Sequence, residues 1–451
     1  MRIACYHNLP SGGAKRVLVE HCRGLREAVH EVVVYEPTTA ESDFCDMLKV
    51  ASRVVRVPFT WKSLPPSSGP LGIPLSLLNA AFLYPSYRRL SAMQARLAEE
   101  IDAAGYDLLY VHHDRYETAP TLLRYARTPT VYFCQEPARR VFEAPLVEGR
   151  QRAERPVSAG SLWWRAVLGK PLVDQHVRYR QLNEQINTRA ATMVLANSSY
   201  SCESILRAHG RVARRCTLGV DTGLFSPDPE GRERAPYVLS VGAFYVQKGF
   251  RFLIRALAEA PAERRPRLVL AGDRARAEEV TALQELAAQL GVDLTVHVRL
   301  TDELLCDLYR RARLFLYAPY LEPLGLTALE AMACGTPVLG VREGGVRETV
   351  VEGVSGRLAE HEEKLFAEAL VEMLGDVEAL QAMGRTAREY VCEKWTWGKS
   401  VEHLLSHFAE VLGQPSSGVV SKPSTGPVTP DATPVGGTSD RSSAGGPPPR
   451  G

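Results

Sequence analysis

Short runs of β-branched and aromatic residues, each closed by turn residues and followed by a helix-like segment, recur along most of this chain. Near the N-terminus "RIACYH" leads into a Gly-Gly turn and a helix from about Ala14 to Glu27, and "EVVVYE" follows. Further on come "YDLLYVHH", "TPTVYFC" and "ATMVLANSS". From Pro236 the rhythm starts again: "YVLSVGAF", a helix from Phe250, "PRLVLAGD", a helix across Glu278–Leu290, "DLTVHV", a helix across Asp302–Arg311, "RLFLYAP", another helix, and "TPVLG". Strands that are apolar throughout, alternating with helices, point to parallel sheets covered on both faces. Two such runs predict an α/β chain of two Rossmann-like domains.

The length allows this. The chain has 451 residues, of which 45% are hydrophobic and 24% charged, enough for two domains with cores of their own. We expect a first domain over residues 1–218 and a linker over 219–235, within "GVDTGLFSPDPEGRERAP" (219–236), which is rich in Pro, Gly and charge. The second domain is expected over 236–394, with a closing helix over 395–412. From Gly413 onward Pro, Gly, Ser and Thr dominate, and the expectation for 413–451 is a disordered tail. Two stretches, 59–90 and 161–180, interrupt the alternation with aromatics or Leu among Arg and Lys. They read as core-packing insertions or as a surface that meets an acceptor or a membrane.

The formal net charge of +2 gives no general basis for neutralising a nucleic-acid backbone. Nine cysteines, none in a Cys-x-x-Cys pair or at metal-ligand spacing to a histidine, fit a reducing compartment. No signal peptide or spanning helix is apparent. The expected location is therefore cytoplasmic, with peripheral contact at the inner face of a membrane left open.

The stretch "YAPYLEPLGLTALEAMACGTPVLG", residues 317–340, carries the most chemistry. A helix that starts near Leu324 leaves its first amides without intrahelical partners and bears partial positive charge. Gly325 lets a ligand approach that backbone, which suits a diphosphate. Glu330, further along the helix, is placed to accept hydrogen bonds from ribose hydroxyls. Glu322, on the loop before it, is placed to grip a sugar hydroxyl. Ribose, diphosphate and sugar in that order describe a nucleotide-sugar, although the spacing alone fits two solvated glutamates as well.

"EPLGLTALEAMACGTPVLG" resembles the Glu-x7-Glu signature of retaining glycosyltransferases of family 4, which share the GT-B fold of two Rossmann-like domains. Other segments are similar to that family in the same order. They are "SGGAKRVLVE" (11–20), "LANSSYSCESI" (195–205), "LGVDTGLFSP" (218–227), "SVGAFYVQKGF" (240–250) and "GGVRETVVEGVSGRL" (344–358). The resemblance implies a nucleoside-diphosphate sugar donor, a carbohydrate or lipid-linked acceptor, no cofactor and no metal. It places the donor against Gly12, Gly13, Gly242, Lys248 and the strap Glu322, Pro323, Leu324, Gly325, Leu326, Thr327 and Glu330. Lys248 would bind the diphosphate, and His113 or His112, at the end of a strand, would lie near the reacting carbon or the phosphates. Gln135, Glu136, Arg139 and Arg140 follow the next strand and would face the acceptor. Trp395 and Trp397 would pack where the chain crosses back to the first domain. The implied chemistry is front-face transfer of a hexose with retention, the departing diphosphate assisting deprotonation of the acceptor.

One departure stands out. Where the family carries Gly-Arg-Leu this chain has Gly242-Ala243-Phe244, so a second cation on the diphosphate is missing; Arg251 or Arg274 is a candidate replacement. The loss keeps a second reading open, that of a nucleotide-sugar-binding or scaffold protein with little or no activity. A dinucleotide-dependent oxidoreductase fits less well, since "SGGAKR" lacks Gly-x-Gly-x-x-Gly. The base, sugar, acceptor and oligomeric state are not written in the sequence.

Overall fold

The computed structural model describes residues 1–41, 46–62, 72–143, 170–273 and 275–413, with side chains excepted at 72–82, 140 and 170–173. The tail beyond Gly413, Arg274, residues 63–71 of one insertion and 161–169 of the other lie outside the described residues.

The first lobe is built on β1 (Arg2–Asn8), α1 (Gly13–Glu27), β2 (Glu31–Pro37), β3 (Arg53–Val57), α2 (Gly72–Ala103), β4 (Leu108–Asp114) and α3 (Leu122–Tyr125). It continues through β5 (Thr130–Phe133), α4 (Arg139–Phe142), α5 (Lys170–Ala190), β6 (Met193–Ala196), α6 (Ser199–His209) and β7 (Arg214–Arg215). Its strands pair in parallel in the order β3-β2-β1-β4-β5-β6-β7. The insertion at 59–90 departs from the expected irregularity. Most of it is helical, and α2 runs through Pro85, a residue that usually ends a helix because its ring clashes with the preceding turn.

The second lobe comprises β8 (Tyr237–Val241), α7 (Phe250–Glu259), β9 (Arg267–Gly272), α8 (Ala277–Gln289), β10 (Leu294–Val298), α9 (Asp302–Arg311), β11 (Leu314–Tyr317) and α10 (Leu326–Ala333). It is completed by β12 (Val338–Val341), α11 (Val346–Thr349), β13 (Gly356–Ala359), α12 (Glu363–Gly375) and α13 (Val377–Lys394). Its parallel strands run β10-β9-β8-β11-β12-β13. Both sheets therefore reverse direction beside their first strand, at β1/β4 and at β8/β11. A crevice opens at such a switch point beyond the carboxyl ends of the strands.

Local chemistry accounts for these elements. Central strands such as β11 (LFLY) and β12 (VLGV) are buried along their whole length, whereas the edge strands β3 and β10 are only partly covered. In α7, Phe250, Leu253, Ile254 and Leu257 recur at helical spacing and are all buried. Thr301 caps α9 by accepting the amide of Leu304, with Asp302 and Glu303 in the first turn and Arg310 and Arg311 in the last.

The connection between the lobes is anchored rather than loose. Arg310 donates to the Ser226 carbonyl (2.6 Å), and Arg388 donates to the carbonyls of Thr222 (3.0 Å) and Phe225 (2.8 Å). Close by, the chain crosses a second time. Val220 bridges in parallel to Thr396, and α14 (Trp397–Val411) returns to lie on α1. Its Ser400 hydroxyl sits 2.9 Å from His21 Nε2 and donates to the Thr217 carbonyl (2.6 Å), while Phe408 packs edge-on to Tyr110. Trp395 is buried at the crossing, and Trp397 meets the His21 ring edge-on.

Candidate active site in the cleft between the lobes

The two switch points face each other, and the sequence motifs fall on their rims. The Gly12–Gly13 turn follows β1, and His112 and His113 lie just before the end of β4. Lys248 lies in the loop after β8, and Glu322 in the loop after β11.

On the second lobe Lys248 Nζ donates to both oxygens of Glu322, at 2.9 and 3.2 Å. Gly249 shapes this arrangement. Its φ is +71°, and a Cβ there would fall 1.8 Å from the Ala318 carbonyl oxygen, so no other residue lets the lysine loop close on the end of β11. Gly242 packs under the stem of Lys248, where a Cβ would meet Cγ and Cδ at 3.3 Å. Burial by itself would raise the Glu322 carboxyl, but Lys248 and Arg139 outweigh it and hold the group below the ordinary range.

Glu322 leads into α10. Gly325 stands at its N-cap with φ +108°, and the first intrahelical bond runs from the Ala328 amide to the Gly325 carbonyl. The amides of Gly325, Leu326 and Thr327 thus precede the ladder, at the positive end of the helix dipole. Burial, with the Glu322 carboxylate nearby, pushes the Tyr317 phenol well above its ordinary range. The Leu324 carbonyl accepts from Thr349 Oγ1 (3.3 Å).

Glu330 is inside α10 and nearly buried. It accepts from Arg16 (2.9 Å), across the cleft, and from the Tyr309 hydroxyl (2.9 Å). Burial raises its carboxyl above the ordinary range in spite of both partners.

The first lobe closes over this surface. A Cβ on Gly13 would lie 3.7 Å from Leu326 Cδ1, so the Gly-Gly turn covers the tip of α10. Gln135 reaches the Ala14 carbonyl behind that turn (3.4 Å). Arg139 pairs with Glu136 (2.6 Å) and donates to the carbonyls of Tyr320 (3.1 Å) and Leu321 on the other lobe. Ser198, in the Asn-Ser motif, donates to the Pro323 carbonyl (2.5 Å), and Glu348 accepts the amides of Ser199 and Tyr200 at 2.9 Å each, capping α6 from the opposite lobe.

The two histidines behave differently from the other candidates. His112 points into the core, stacked on Phe133 and edge-on to Tyr110, and neither ring nitrogen has a hydrogen-bond partner. Its imidazole does not line the cleft. His113 lies against Tyr132 with Nε2 unpartnered, and burial lowers its pKa to about 4, so the ring is neutral at physiological pH. Arg251 is turned to α8, where it pairs with Glu279 (3.1 Å). Among the described residues, Arg16 and Arg139 are cations that reach the cleft from the first lobe. Sequence reasoning named Arg139 for the acceptor and did not single out Arg16, Tyr309, Ser198 or Glu348, although Arg16, Ser198 and Glu348 sit inside quoted motifs.

Comparison with known proteins bears on this geometry. The second lobe matches a known family. Residues 225–390 fit the family model described as "Glycosyl transferases group 1". Among curated proteins, D-inositol 3-phosphate glycosyltransferases are similar. That of Kribbella flavida is 34% identical over 250 residues, covering 51% of this chain and 59% of the relative. That of Thermobispora bispora is 30% identical over 254 residues, covering 52% and 59%. The chain thus spans 59% of the length of these two relatives. Among solved structures, sucrose-phosphate synthase from Thermosynechococcus elongatus superposes with a TM-score of 0.67 at 18% identity, over 92% of this chain and 100% of that one. Anabaena Alr3699/HepE in complex with UDP and glucose gives 0.62 at 19% identity, over 91% and 100%. The described fold, two facing Rossmann-like lobes with parallel sheets, is GT-B.

Proposed function

We propose that this protein is a metal-independent, retaining glycosyltransferase that moves a hexose from a nucleoside-diphosphate sugar to an acceptor hydroxyl. The observation that carries the reading is the Lys248–Glu322 pair at the tip of α10, facing the Gly12–Gly13 turn where the switch points of two sheets meet. The diphosphate would lie between the first amides of α10 and Lys248, roofed by Gly12 and Gly13. Glu322 would turn from Lys248 to the sugar hydroxyls, and Glu330 would accept the ribose hydroxyls. Lys248 and the helix dipole then supply positive charge where the leaving group gains negative charge, and this work needs no metal ion.

In the reaction the acceptor oxygen bonds to the anomeric carbon on the face the diphosphate leaves. The bond from that carbon to the β-phosphate oxygen breaks, and the acceptor proton passes to the departing oxygen. Catalysis on this route is positioning plus electrostatic stabilisation. UDP-glucose is the first donor to offer, since a similar structure holds UDP and glucose, and D-inositol 3-phosphate is the first acceptor, since the similar curated proteins carry that name. We further place the protein in the cytoplasm. Among the described residues no helix is long and apolar enough to cross a membrane.

Ala243, in place of a second cation, favours an alternative: a protein that holds a nucleotide-sugar without turning it over. A donor panel with mass spectrometry of the released nucleotide separates the two. Release that depends on acceptor and on Glu322 supports the transferase. Thermal stabilisation by UDP with no release from any donor supports the binding protein, and neither response removes the site. Glu322→Ala is expected to lower kcat by about a hundredfold or more while UDP binding survives.

A further inference from the structure

Leu321, directly before Glu322, has a φ of +49°. A leucine is disfavoured in this left-handed region because its Cβ crowds the following carbonyl, so the strap 320–322 depends on its anchors. Several come from its own lobe. The Tyr320 amide donates to the Gln247 carbonyl (2.9 Å), the Leu321 amide reaches the Glu343 carboxylate (3.4 Å), and the Glu322 carbonyl accepts the Gly345 amide (2.7 Å). The carbonyls of Tyr320 and Leu321, in contrast, are held from across the cleft by the two terminal nitrogens of Arg139. Glu136 takes the Nε side of the same guanidinium and so orients the fork. The Arg139 side chain is 17% exposed, in keeping with a fixed part of the closed cleft.

We propose that Arg139 is a positioning residue. As the lobes close, its guanidinium fork clamps the carbonyls of residues 320 and 321, holds Leu321 in the left-handed conformation and aims the Glu322 carboxylate at the donor sugar. This rests on the reading of Glu322 as the sugar-binding group. It couples closure of the cleft to assembly of the site, so a strained loop is held in its working form only when the opposite lobe is present. A point charge would not substitute for the fork, because one ammonium cannot span two carbonyls with the same planar geometry.

The test uses the full chain with Arg139→Gln, Arg139→Lys and the double variant Arg139→Gln/Leu321→Gly, each first shown by circular dichroism to be folded. In the ligand-free protein, hydrogen exchange of the amides of Tyr320, Leu321 and Glu322 is expected to quicken about tenfold in Arg139→Gln, with the strands of both sheets unchanged. With the donor the wild type turns over, kcat is expected to fall by about ten- to a hundredfold while KM stays within about threefold. Arg139→Lys should not restore it. Leu321→Gly, which removes the penalty of positive φ, should recover about fivefold of the lost kcat in the double variant. Unchanged exchange at residues 320–322, full activity in Arg139→Lys, or a rise in KM at constant kcat would each overturn the proposal. If the wild type turns over no donor, the functional reading fails, while the exchange measurement still decides whether Arg139 clamps the strap.

Discussion

At Glu330 burial and charge oppose each other. Burial raises the carboxyl above its ordinary range, and Arg16 and the Tyr309 hydroxyl only partly offset this. A carboxyl with a raised pKa takes up its proton at a higher pH than a free glutamate, whose value is near 4.3. The ionised form, which on the proposed reading would accept two ribose hydroxyls, is therefore lost early as pH falls. Calorimetric titration with UDP should show affinity dropping on the acid side in the wild type. Arg16→Met should move the drop to higher pH by removing the opposing cation, and Glu330→Gln should flatten it. At Glu322 the sign is reversed, since Lys248 and Arg139 keep that carboxyl ionised below the usual range. Lys248→Met removes the larger of these effects, so the acid limb of the kcat profile should shift upward in pH, with kcat down about a hundred- to a thousandfold. Glu322, Glu330 and Lys248 could be named as candidates because each lies in a local stretch that resembles a family motif. Arg16 was not, because its partner is 314 positions away and only the meeting of the lobes joins them. His112 and His113 were ambiguous for another reason. Adjacent strand residues face opposite sides, and both sides of β4 carry aromatic partners.

Elements were easier to read than contacts. The helices of the second lobe fall close to their expected spans because caps, apolar spacing and terminal charges agree there, as in α9. The helix of the Glu-x7-Glu stretch begins at Leu326 rather than near Leu324, since Gly325 takes positive φ and delays the first turn. The insertion at 59–90 read only as a break in the alternation, yet α2 runs through Pro85 and buries Tyr87, Leu90 and Leu97. The loop after β8 is the least tolerant short element near the site. Gly249→Ala would drive a methyl group into the Ala318 carbonyl and hold an alanine at φ +71°. We expect a loss of about 2 kcal/mol or more in urea unfolding, because both strain and overlap act at one position.

At the scale of the whole molecule, closure is written into a few polar contacts between distant segments. Glu348 receives the first amides of α6 from the opposite lobe, and Ser198 ties the same corner to the Pro323 carbonyl. Glu348→Ala removes the cap only from the closed form, which should lose about 1 kcal/mol relative to the open one. Small-angle scattering should record a larger radius of gyration for that variant, with a response to UDP that begins at higher ligand concentration.

The return of α14 to the first lobe has a consequence for how such a chain can be recombined. The strip of core over Tyr110 is roofed by Phe408, which the ribosome supplies nearly three hundred positions later. A chimera that borrows residues 1–218 from a relative therefore inherits walls without their own roof beam. Grafts that carry the terminal helix along with the opening lobe should yield soluble hybrids, and those that split the two between parents should not.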